Sequence, residues 1–156
     1  MTKTFHLKKL ALCVALPLAV GFASSLLAPN TKEVYAEIIK PPLSPPPWVF
    51  PVAWTILYVL MGIAFCIIKD SDSKNKNKAL RLFYLQLALN FLWTPVFFTL
   101  QLYWVAMVIL LLLWAVVLLT TFRFRLIDAT AGNLLIPYLL WLSFAAYLNM
   151  GVACLN

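Results

Sequence analysis

Apolar residues run along this chain in long blocks, with polar residues confined to short breaks between them. A bilayer core about 30 Å thick requires roughly 20 apolar residues as helix. Five blocks meet that length: Leu7–Leu27, Trp48–Ile68, Leu80–Phe98, Leu102–Phe122 and Leu134–Cys154. The pattern predicts an all-α membrane protein, a five-transmembrane-helix bundle forming a single domain over residues 1–156. Only Thr99-Leu100-Gln101 separates the third and fourth blocks, so those two helices form a tight antiparallel hairpin. Ala28–Pro47 is the longest connection, and it ends in the proline-rich stretch "KPPLSPPPWVFPVAW".

Composition strengthens this picture. The chain is 64% hydrophobic and 11% charged, whereas a soluble domain is about half apolar and about a quarter charged. The first block also resembles a secretory signal, with a basic start and small residues near Ala23 to Ser25. Its apolar run is long for a cleaved signal, so a retained span is expected. Leu12 stands before Cys13 where a lipoprotein site needs a small residue. Cys13, Cys66 and Cys154 are far apart in sequence and form no C-x-x-C pair, so neither a disulfide framework nor a zinc site is expected.

The net charge of +7 could suggest nucleic acid, but the basic residues lie between the spans. Ten lysines and arginines fall on the N-terminal side of the expected membrane and two, Lys32 and Lys40, on the other. In a bacterial plasma membrane this places the N-terminus in the cytoplasm and the C-terminus outside. Ala28–Pro47 is then an outside loop. No nucleic-acid partner is expected.

Several residues inside the spans are polar, aromatic or helix-breaking. Pro17, Pro51, Pro95 and Pro137 lie within four of the spans, and a proline well inside a helix removes a backbone bond and tends to kink it. Gln86, Asn90, Trp93 and Phe97 recur at helical spacing and share one face. At bilayer depth Asn90 needs either a neighbouring helix or a ligand as partner. Trp54, Tyr58 and Met61 or Gly62 form one stripe, and Tyr138, Trp141, Ala145 and Asn149 or Leu148 another. Such stripes serve helix packing, or they wall a site for a flat, mostly apolar ligand. The only histidine, His6, is in the tail, and no span holds a carboxylate. That leaves no His base, metal cluster or obvious proton-coupling group.

Three segments carry a resemblance. "VYAEIIKPPLSPPPWVFPVAWTILYVLMG", "QLALNFLWTPVFF" and "PYLLWLSFAAYLN" resemble, in order, the motifs of the TspO/MBR family, the tryptophan-rich sensory proteins related to the mitochondrial translocator protein. The likeness covers about residues 34 to 149. It implies a five-helix bundle, often a homodimer, that binds porphyrins such as protoporphyrin IX and haem, and benzodiazepine-type ligands, beneath the first loop. Carried over, the ligand-binding residues are Tyr35, Pro45, Trp48, Phe50, Trp54, Asn90, Trp93, Phe97, Trp141, Phe144, Ala145 and Leu148. The implied role is a stress-linked receptor or sensor with no obligatory cofactor. Light-dependent porphyrin degradation, with Trp54 and Trp141 as the photochemical candidates, and porphyrin or sterol transport are the alternatives.

Two positions depart from the family pattern: Leu43 replaces the usual lid tryptophan, and Val34 stands where a W-Y pair begins. The chain also lacks the Tyr-then-Arg/Lys stretch linked to cholesterol in the animal proteins, so cholesterol binding is not expected. With no histidine in the bundle, metal-free porphyrin is expected to bind at least as well as haem.

Overall fold

The computed structural model describes residues 7–156; His6 and Lys3 lie outside them. The described chain is helical, in the order α1 Leu7–Leu26, α2 Thr31–Glu37, α3 Val49–Lys69, α4 Lys76–Thr94, α5 Tyr103–Ile127, α6 Ala129–Asn133 and α7 Ile136–Leu155. A π-helical turn, Pro95–Thr99, extends α4. Among the described residues, five helical stretches are long and apolar enough to cross a membrane. They are the five expected spans, and the protein is an integral membrane protein. Outward residues such as Leu12, Phe22, Trp104, Val108 and Phe122 are exposed, as lipid-facing side chains are.

The boundaries differ from the sequence reading for identifiable reasons. Ala28–Pro47 is not all loop: Thr31–Glu37 forms the short helix α2. Lys40 holds its end, donating from Nζ to the Tyr35 and Ile38 carbonyls at 2.7 and 3.1 Å, the favoured place for a cation on a helix. The third span, α4, starts at Lys76 and the fourth, α5, runs on to Ile127, because hydropathy marks the apolar core of a helix and misses its charged end turns. Asp128 then starts α6, its Oδ1 accepting from the Ala131 N–H at 3.0 Å. Pro51 and Pro137 sit in first turns, where a missing N–H costs little. Pro95 is where α4 gives way to the wider π turn. The hairpin beyond it closes through Gln101, whose φ is 52°.

In the bundle, α1 packs on α3 and α4, α4 on α5, and α5 on α7. The α1–α3 contact is close. A Cβ added at Gly62 would lie 2.4 Å from the Val14 Cα, so only glycine lets these backbones touch. Higher up, Gly21 leaves room for the Tyr58 ring. By contrast, α3 and α7 are joined mainly by large rings, and that separation creates the site.

Candidate functional site

The space between α3 and α7 is filled by an aromatic chain. From the lid inwards, Tyr35 meets Phe50 edge-on at 5.2 Å, and Phe50 meets Trp141 at 6.0 Å. Trp141 meets Trp54 at 6.4 Å and Phe144 at 5.8 Å. Trp54 stacks on Tyr58 at 5.5 Å and meets Tyr138 edge-on at 6.1 Å. Helical spacing explains the alignment: Phe50, Trp54 and Tyr58 are one turn apart on α3, and Tyr138, Trp141 and Ala145 follow one stripe of α7.

Beneath the rings lies a hydrogen-bonded core. The Tyr58 hydroxyl donates to Asn90 Oδ1 at 2.7 Å. Asn90 Nδ2 donates to the Tyr138 oxygen at 2.8 Å, and the Tyr138 hydroxyl donates to Gln86 Oε1 at 2.9 Å. Three helices therefore satisfy one another's polar groups at membrane depth. Of the two partners open to Asn90 from sequence, this conformation gives it the helix partners. Within the ring chain, the Trp141 indole N–H is buried without an acceptor, at a cost of about 1–3 kcal/mol.

A cavity sits against this core, lined by Trp54, Asn90, Trp93, Leu110, Leu113 and Ala145. Its volume, traced by the centre of a water-sized sphere, is about 10 Å³, room for about one water. Sites for drug-sized molecules run to about 300–1,000 Å³. A flat macrocycle enters only if the ring chain parts.

The lid lies over the ring chain. The Tyr35 hydroxyl donates to the Pro45 carbonyl at 2.6 Å, and the Tyr147 hydroxyl to the Pro42 carbonyl at 2.7 Å. Asn156 pairs with the Ile39 backbone in both directions, at 3.0 and 2.9 Å. Burial raises the Tyr35 phenol above its ordinary range, which keeps it a neutral donor. Leu43, at the lid tip, is 83% exposed and holds a φ of 67°.

The structure thus gathers Tyr35, Pro45, Phe50, Trp54, Trp141 and Phe144 into lid and ring chain, with Asn90, Trp93 and Ala145 at the cavity. Leu148 is buried one turn beyond Ala145 on α7. Two residues stand apart. Trp48 is 66% exposed at the head of α3. Phe97 packs with Val34, Ile38, Ala106 and Val152 in a second cluster, although its ring stacks on Trp93 at 5.1 Å. Trp93 in turn donates to Asn149 Oδ1 at 3.0 Å. Sequence reasoning missed Leu110 and Leu113 of α5. That helix is apolar around its circumference, so nothing in its pattern marks the face that meets the cavity.

The fold and this site define a class: five-span membrane proteins with an aromatic interhelical cleft under a proline-rich lid. Known proteins agree. The profile of the TspO/MBR family matches residues 13–155, and the chain belongs to that family. It is 42% identical over 150 residues to the tryptophan-rich protein TspO of Chlorobaculum tepidum, covering 94% of this chain and 95% of the relative. It is 40% identical over 147 residues to the tryptophan-rich sensory protein of Cereibacter sphaeroides, covering 94% and 88%. To the human translocator protein it is 39% identical over 119 residues, covering 74% and 70%.

Proposed function

We propose that this protein is a membrane receptor or sensor for porphyrins, with protoporphyrin IX as the model ligand, held between α3 and α7 beneath the lid. The observation that carries this reading is the ring chain from Tyr35 through Phe50, Trp141 and Trp54. These edge-on rings offer a macrocycle new faces in exchange for their own contacts, and each aromatic pair contributes about 0.5–1.5 kcal/mol. The unpaired Trp141 N–H supplies a donor for a ligand carbonyl or carboxylate. The same cleft suits benzodiazepine-type molecules. Family membership supports a homodimer and a stress-linked role. The N-terminus is cytoplasmic and the C-terminus outside in a bacterial plasma membrane, because α1 begins, α3 and α4 join, and α5 ends at the lysine- and arginine-rich end of the bundle.

The test is a protoporphyrin IX titration of the purified protein in detergent, in the dark, followed by tryptophan quenching. Saturable quenching that weakens in Trp54→Ala and Trp141→Ala supports the reading. Equal binding by both variants rejects the site.

A second reading, light-dependent porphyrin breakdown, is favoured by the contacts of Trp54 with Tyr58, Tyr138 and Trp141. These oxidisable rings meet where the macrocycle would lie. Porphyrin absorbance under light tests it: bleaching must be faster with protein than in detergent alone.

A further inference from the structure

At the end of the bundle away from the lid, the fold brings together two cysteines that are distant in sequence. Cys13 and Cys66, 53 positions apart, face each other across the α1–α3 interface. Two independent contacts set the register. Gly62 of α3 lies against the backbone of Cys13 and Val14. Towards the helix ends, the Lys9 ammonium pairs with the Asp70 carboxylate. Between these anchors, Cys66 is one turn from Gly62 and Cys13 is one turn from Lys9, on facing stripes of antiparallel helices. Both side chains are buried in one core cluster, 0% and 3% exposed, and neither is in a disulfide. The glycine contact, against the backbone of Cys13 and one turn from Cys66, draws the two helices together, and a disulfide needs closely spaced backbones.

We infer that Cys13 and Cys66 form an oxidisable dithiol, whose oxidant is a membrane-soluble organic hydroperoxide and whose product is a disulfide joining α1 to α3. The pair lies among apolar side chains within a lipid-facing bundle, so an apolar oxidant has the access that a polar one lacks.

The reaction balances in two displacements. The Cys13 sulfur attacks a peroxide oxygen, the O–O bond breaks, and the departing alkoxide takes the thiol proton and leaves as an alcohol. Cys13 is then a sulfenic acid. The Cys66 sulfur attacks the Cys13 sulfur, the S–S bond forms, and the departing hydroxide takes the Cys66 proton as water. Two thiols and one hydroperoxide give one disulfide, one alcohol and one water.

Full-length protein carrying Cys154→Ser, which removes the exposed third thiol, tests this directly. Purified protein is treated with cumene hydroperoxide, unfolded, alkylated, digested without reductant and weighed by mass spectrometry. The expected result is one peptide pair linking Cys13 to Cys66, both thiols lost together, and both restored by dithiothreitol. Adding Cys13→Ser or Cys66→Ser abolishes the linked pair. Full alkylation of both cysteines after treatment overturns the proposal. So does conversion of either to a sulfinic acid without linkage. The linked pair is read in protein that keeps both cysteines, so a misfolded serine variant leaves the outcome intact.

Discussion

Replacing Asn90 with Leu separates the two roles a buried amide can have. The side chain is 3% exposed, accepts from Tyr58 and donates to Tyr138. Leucine keeps the number and branching of side-chain heavy atoms, so the shape is largely preserved while both bonds go. Tyr138 keeps Gln86 as acceptor, but Tyr58 is left with a buried hydroxyl and no partner. Interhelical hydrogen bonds within membranes average about 0.6 kcal/mol, with a maximum near about 1.7. Two lost bonds therefore cost about 1.2 kcal/mol, rising towards about 3 kcal/mol if the Tyr58 hydroxyl finds no new acceptor. For a chain of this size each kcal/mol lowers the melting temperature by about 2–4 °C, so a fall of about 2–12 °C is expected. Thermal unfolding of the detergent-solubilised protein reads the shift, and porphyrin titration of the same sample reads affinity. The expected pattern is a clear fall in stability with porphyrin affinity within about threefold, equivalent to less than about 0.7 kcal/mol. An unchanged melting temperature with binding abolished refutes the reasoning, and Asn90 then acts as a ligand contact.

Gly62→Ala forces a Cβ to within 2.4 Å of the Val14 Cα; because backbone cannot yield, it is expected to cost about 1–3 kcal/mol in thermal unfolding. Trp141→Phe removes the unpaired indole N–H, so stability is expected to hold while porphyrin affinity falls, as calorimetry or quenching reports. The raised Tyr35 phenol means that its neutral form is favoured in the fold. The resulting stability is complete below the unfolded phenol value near about 10 and is lost as pH climbs through the raised folded value. Alkaline titration with limited proteolysis of the lid is therefore expected to show release at that high pH, and Tyr35→Phe to abolish this pH-dependent step.

The five spans were legible because apolar length is a one-dimensional signal, and the membrane imposes it directly. Asn90, Trp54 and Trp141 were legible as members of helical stripes. Other features depend on information no stripe contains. The helix Thr31–Glu37 is too short to announce itself by periodicity. Trp48 belongs to the same aromatic motif as Trp54, yet only the turn of α3 decides that one faces outward and the other inward. Leu110 and Leu113 lie on a helix whose faces are chemically alike. Cys13 and Cys66 meet only because Gly62 lets α1 and α3 close, a coincidence of register between distant segments.

The site in this conformation holds about one water, at about 10 Å³, so the central claim is that the Phe50–Trp54–Trp141 chain parts to admit a macrocycle. The most direct measurement is dark quenching of tryptophan fluorescence by protoporphyrin IX, compared between the native protein and the Trp54→Ala, Trp141→Ala double variant that remains folded by circular dichroism. The account predicts saturable quenching of the native protein and affinity at least about tenfold weaker in the variant, about 1.4 kcal/mol, after correction for the lost fluorophores. Equal affinity for both proteins, or no saturable quenching of either, contradicts it.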